Sequence, residues 1–198
     1  MSNISAHMTI NSHYHHTEVQ LNDELVIIEA AKKNPAHFAP LYNKYYKQIF
    51  NYLYQRMDCK ETAFDITSQV FLKALSNLQN YQFKGVPFAS WLYRIAYNEM
   101  MLVYRNLKDK RAVNADIGDL KFICEETNEP FFEEYIPIIK KLITELDEED
   151  LMLVEMRFFE KRPFKEIAEI LNTTEGNAKV KMFRVIEKLK IKIKKYKV

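Results

Sequence analysis

Two stretches of the chain collect side chains that could engage a nucleic acid. In the first, Tyr81, Phe83, Phe88, Trp91, Tyr93 and Tyr97 are interleaved with Lys84 and Arg94 and followed by Arg105, Lys108, Lys110 and Arg111. Aromatic faces beside cations suit unstacked bases and their phosphates, with stacking contributing about 1–3 kcal/mol per base. In the second, Lys179, Val180, Phe183 and Arg184 project from one side of a predicted helix, with Lys181 and Lys188 at its edge. A mixed basic and apolar helical face fits the major groove of a duplex. Covalent chemistry has no comparable candidates. No nucleophile stands with a base, no His/Cys spacing suits a metal, and no glycine-rich loop could cradle a phosphate. Catalytic residues, metal ligands and cofactors are accordingly expected to be none.

The elements that must position these groups follow from periodicity. Pro163 suits a first helical position, and Phe164, Ile167, Ala168 and Leu171 lie along one side of the helix it opens. Asn172 can take the left-handed conformation that ends a helix, and Thr174 offers an oxygen to cap the next. Ala178, Met182, Val185, Ile186, Leu189 and Ile193 then form the core arc of that second helix. The pair reads as a helix-turn-helix; the alternative is an ordinary helical hairpin with a solvated lysine face. For the aromatic stretch, spacing puts Trp91, Leu92, Ile95, Ala96, Leu102 and Val103 on the packed side of a helix. Tyr81, Phe83 and Lys84 fall in the preceding loop and are expected to form a ligand surface.

Composition sets the frame. Of 198 residues 47% are hydrophobic, enough for real cores, while three glycines and six prolines are too few for a hairpin-rich sheet protein. A net charge of +2 conceals segregation: from Asp116 to Glu134 the acids are opposed by Lys121 alone, and from Lys179 onward the cations are opposed by Glu187 alone. Cys59 and Cys124 are far apart with no metal-binding spacing, which fits a reducing compartment. No apolar run approaches the roughly 18 residues that span a bilayer, so a cytoplasmic protein without membrane insertion is expected.

In chain order, residues 1–20 are a polar, histidine-containing tail. Residues 21–111 carry four helical patterns: one capped by Asn22, one from Phe38 to Met57, one from about Lys60 to Gln79, and one through Trp91. Residues 112–130 lose periodicity and are expected to be an acidic linker without structure of its own. Residues 131–198 hold a helix from Phe131, a helix capped by Asp147 and closed by Lys161 and Arg162, and the helix-turn-helix. The predicted fold is all-α, two small helical domains joined by the linker.

At this level of detail the chain resembles an extracytoplasmic-function sigma factor, a bacterial sigma factor reduced to its second and fourth regions. DITSQVFLKAL is similar to the family's D-x-T-Q-x-V-F-x-K-A, and FKGVPFASWLYRIAYN to its F-x-G-x-x-F-x-x-W-L-x-x-I-A-x-N. FKEIAEILNTTEGNAKVKMFRVIEKLK resembles the family's C-terminal helix-turn-helix, departing at Asn177, Val180, Lys181, Val185 and Ile186. The resemblance implies a fold of a region 2 bundle and a region 4 helix-turn-helix, and the partners core RNA polymerase, promoter DNA and an anti-sigma factor.

It also implies roles. Asp65, Gln69, Phe71, Lys73 and Leu75 would dock on the polymerase. Tyr81, Gln82, Phe83, Lys84, Phe88, Trp91, Arg94 and Asn98 would melt and hold the single-stranded minus-10 element. Thr174, Glu175, Asn177, Lys179, Val180, Lys181, Phe183, Arg184 and Lys188 would read the double-stranded minus-35 element. The alternative is a sigma mimic that binds an anti-sigma factor without touching DNA, a role with no need of the basic helix or the loop aromatics.

Overall fold

The computed structural model describes residues 17–57, 59–107, 117–126 and 135–196, and among these all regular structure is helical. The helices are α1 (Glu18–Lys33), α2 (Ala39–Tyr54), α3 (Lys60–Ser76), α4 (Phe88–Leu107), α5 (Ile117–Glu126), α6 (Ile136–Thr144), α7 (Glu148–Val154), α8 (Phe164–Ile170) and α9 (Glu175–Lys195). Most of the polar tail lies outside the described residues.

The first helix begins earlier than Asn22. Thr17 and Gln20 form a capping box: Gln20 N–H donates to Thr17 Oγ1 at 3.2 Å and Thr17 N–H donates to Gln20 Oε1 at 3.0 Å. Two otherwise orphaned donors are satisfied, and the helix extends to reach them. Around the resulting α1–α4 unit, the stripes expected on α2 and α3 are buried, with Leu41, Tyr45, Ile49 and Leu53 against Ala63, Ile66, Val70, Phe71 and Ala74. On α4 the buried stripe is Phe88, Leu92, Ala96 and Met100, rotated from the expected one, so that Trp91, Ile95 and Val103 are half-buried and Leu102 is exposed; it closes the core, where the Phe38 ring meets Phe71 and Phe88 edge-on.

Between the two units the expected featureless linker is partly helical. Leu120, Ile123 and Cys124 of α5 are buried, and Phe122 meets the Phe158 ring edge-on at 5.5 Å. Three apolar residues make a stripe too short to stand alone in a sequence pattern; a neighbouring hydrophobic surface supplies what they cannot.

The C-terminal unit is built from α6 to α9. Asp147 caps α7 by accepting from Asp150 N–H at 2.8 Å. After Val154 the helix widens to a π-type turn over Glu155–Phe159, and Lys161 takes a positive φ of 53°. Together these turn Arg162, expected to close the helix at its C-terminal end, inward, where it is 1% exposed. Asn172 is left-handed, with φ 52°, between α8 and α9, and Thr174 accepts from Asn177 N–H at 3.2 Å to start α9.

The two units pack directly on each other, α8 lying on α4. At their boundary Arg56 pairs with Glu155 (3.3 Å) and Glu160 (3.2 Å), all three largely buried. Arg162 donates to Tyr93 Oη at 3.0 Å and pairs with Glu166 at 3.2 Å; Tyr93 in turn donates to Glu160 at 3.0 Å. Burial lowers the proton affinity of both arginines, but the facing carboxylates and tyrosines more than offset it and both are held above their ordinary value. Both guanidinium groups remain charged inside the protein. Burial, followed by Glu160, pushes the Tyr93 hydroxyl well up, so it stays protonated and able to donate.

Candidate nucleic-acid interface

Helix α9 separates its residues sharply. Ala178, Met182, Val185, Ile186, Leu189 and Ile193 are buried, as their arc predicts. Val180 and Phe183 are 52% and 59% exposed, and Asn177 and Arg184 are exposed beside them. Large apolar groups on the outside of a basic helix are what contact with thymine methyls requires. The cations differ from one another. Lys179 pairs with Glu175 one turn back at 2.6 Å. Lys181 is drawn to Glu149 (2.7 Å), and Lys188 to Asp150 (2.7 Å). A hydrogen bond to Asp150, then its charge, raises the Lys188 ammonium above its usual value. These two lysines brace α9 against α7, leaving Val180, Phe183 and Arg184 as the outward group, with Thr174 and Glu175 at the helix start.

The aromatic loop and α4 are arranged differently. Tyr81 is 7% exposed and Phe88 fully buried, their rings 5.2 Å apart and edge-on, with Trp91 half-buried against both. The expected ligand surface is therefore not presented by Tyr81 or Phe88. The Tyr81 and Phe88 rings pack with Phe38, Tyr45 and Trp91, because leaving them in water would forfeit their burial. A base could stack on either only after displacing these contacts. Buried Glu24 fixes this inward arrangement: it accepts from Phe88 N–H at 2.8 Å and from the Tyr45 hydroxyl, while Lys32 donates to Tyr81 O at 3.0 Å. Burial, then Glu24 and Glu169, pushes the Tyr81 hydroxyl well up. Gln82 and Asn98 are exposed, and Phe83 is half-buried. Lys84 and Arg94 both reach Glu169 of α8, at 2.8 and 2.7 Å.

On α3, Asp65 and Gln69 face outward and Lys73 pairs with Glu99 at 2.7 Å. Phe71 is core, with its ring centroid 4.9 Å from that of Tyr42, and Leu75 is half-buried. Neither forms part of an open face. The apolar groups that α3 does present are Leu72, 65% exposed, and Phe64, stacked on Phe50 at 4.5 Å. Both fall off the buried stripe, so a helical projection could have found them. Glu24, Glu169 and Arg56 had no comparable signal, since their charged partners are far away in sequence; Arg162 lies four residues from Glu166, but its other partner, Tyr93, is 69 residues away.

Comparison with known proteins matches residues 41–110 to sigma-70 region 2 and residues 137–189 to sigma-70 region 4. The chain belongs to the extracytoplasmic-function group of the sigma-70 family. Sigma factors bind core RNA polymerase and promoter DNA, and this one directs promoter-specific transcription initiation. It is 26% identical over 169 residues to the ECF RNA polymerase sigma factor BldN of Streptomyces coelicolor, covering 82% of this chain and 63% of BldN. It is 28% identical to the RNA polymerase sigma factor YlaC of Bacillus subtilis, covering 72% of this chain and 87% of YlaC. In fold it is similar to CnrH, solved in complex with the cytosolic domain of CnrY, with a TM-score of 0.55 and 15% identity over 84% of this chain and 94% of that one. Among the described residues no helix of this sigma factor is long and apolar enough to cross a membrane.

Proposed function

We propose that the sigma factor makes a two-point promoter contact, α9 reading the minus-35 duplex through Val180, Phe183 and Arg184, and the 81–98 segment receiving the melted minus-10 strand. The observation that carries this reading is the outward trio on α9: two large apolar side chains and a guanidinium exposed on a helix whose other face is fully packed. A purely structural helix would gain nothing by holding Phe183 in water. The same trio counts against a sigma mimic that binds no DNA.

Asp65 and Gln69, with Leu72 and Phe64 beside them, form the face offered to core polymerase. Melting proceeds by capture of an extruded base, whose cost of a few kcal/mol is offset by stacking and hydrogen bonds, without a catalytic step belonging to the chain. The cytoplasm is the compartment where such a role operates, and an anti-sigma factor would cover these same faces. Transcription by core polymerase with and without the protein, over a genomic template pool, is the test. Promoter-specific transcripts that depend on the protein are expected, and their absence would overturn the reading. Binding to duplex DNA should weaken steeply with salt as counterions are released.

A further inference from the structure

The outward and inward DNA faces are too close together to work as they stand. Elements at minus-35 and minus-10 are roughly 25 base pairs apart, which is about 85 Å along a duplex rising 34–36 Å per turn. In this structure α8 lies on α4, with Glu169 of one in contact with Arg94 of the other, and α9 follows α8 after four residues. Even the full length of α9, 21 residues at 1.5 Å each, is only about 32 Å. The two units must separate before both elements can be held at once.

Beside the 81–98 segment, a carboxylate of α8 joins the two units. Glu169 of α8 has a side chain only 10% exposed, with one oxygen on Arg94 Nη2 at 2.7 Å and the other on Lys84 Nζ at 2.8 Å. Arg94 Nη1 reaches Asn172 Oδ1, at the left-handed end of the same helix, at 3.3 Å. Lys84 and Arg94 are the cations of the segment assigned to the minus-10 strand. A carboxylate gripping two cations with two oxygens presents the charge pattern of a backbone phosphate. We propose that Glu169 is an internal phosphate substitute, a clasp that closes the free sigma factor by occupying its own strand-binding cations, and that the melted strand opens the clasp by exchanging a phosphate for Glu169. The inference rests on the minus-10 reading of the 81–98 segment.

Exchange takes place here and not at the inner Arg56–Glu155–Glu160 contact because the clasp is at the rim. Lys84 is 49% and Arg94 26% exposed, so water and an incoming anion can reach them, whereas Arg56 is 3% exposed. Opening therefore begins at the outer contact.

Anisotropy of a fluorescein-labelled, mixed-sequence single-stranded DNA tests the clasp on the full-length protein. Glu169→Gln keeps the shape and removes the charge, and should tighten strand binding by about fivefold or more, the yield of about 1 kcal/mol released from a partly exposed ion pair. Glu18→Gln, the same charge change on exposed α1, should not. Circular dichroism of each variant reports folding, and small-angle scattering supplies a measurement that needs no variant: saturating wild-type protein with the strand should increase its radius of gyration. Equal affinity of Glu169→Gln and wild type, with Lys84→Ala and Arg94→Ala weakening both, would overturn the clasp and leave the minus-10 reading standing. An unchanged radius on strand binding would also overturn the clasp. Failure of the strand to bind either protein, alone or with core polymerase, would overturn the minus-10 reading and the clasp together.

Discussion

The recognition helix and the aromatic loop carry similar residue types and treat them in opposite ways. On α9 the large apolar and cationic groups point outward, fixed by a packed opposite face and by Lys181 and Lys188 tied to α7. In the loop, Tyr81 and Phe88 point inward, and Lys84 and Arg94 are spent on Glu169. On the proposed reading, the duplex reader is ready before DNA arrives and the strand binder must be released. A duplex groove has a fixed shape that a rigid helix can match in advance, while a melted strand appears only during initiation, and exposed rings waiting for it would cost burial in the interval.

The largest blow to this contrast would come from the buried pairing between the units. Arg56→Ala removes the buried guanidinium that pairs with both Glu155 and Glu160 and should cost about 3–5 kcal/mol of stability, read by denaturant unfolding. A loss below about 1 kcal/mol would mean that the pairing does not hold the units together. Next in size, Phe183→Ala and Arg184→Ala should each weaken minus-35 duplex binding by about 1–3 kcal/mol. Phe83→Ala should leave duplex binding nearly intact and impair strand opening, seen as reduced permanganate reactivity of promoter thymines. Equal loss at both steps in the α9 and loop variants would erase the division of labour.

The smallest effect concerns how firmly α7 braces α9. The Asp150 backbone N–H, with lesser help from Lys181 and Lys188, outweighs a small desolvation penalty and holds the Asp147 carboxyl below its ordinary range. A depressed carboxyl contributes stability that is complete above its unfolded value, near pH 4, and is lost as pH falls through the lower folded value. Asp147→Asn should flatten the acid limb of the stability curve below roughly pH 4. Asp147→Ala should cost about 1 kcal/mol at neutral pH as well, by removing the cap. An unchanged acid limb in Asp147→Asn would show that titration of the Asp147 carboxyl does not contribute to it.

The amino-acid sequence by itself determined the helical class, the core stripes of α2, α3 and α9, the turn at Asn172 and the cap at Thr174, whereas of the stripe expected on α4 only Leu92 and Ala96 are buried. These depend on spacing within a few residues, where periodicity and capping chemistry operate. It also exposed the residues that resemble the sigma family. It did not determine α5, whose three-residue stripe is stabilised only by a distant surface, nor the start of α1 at Thr17. Tertiary structure alone decided which aromatic rings face water, that Arg162 is buried, and that Glu169 meets Lys84 and Arg94 across 85 and 75 residues of chain. Long-range ion pairs leave no mark on local periodicity, because the free energy that forms them arises only once packing has brought the charges together.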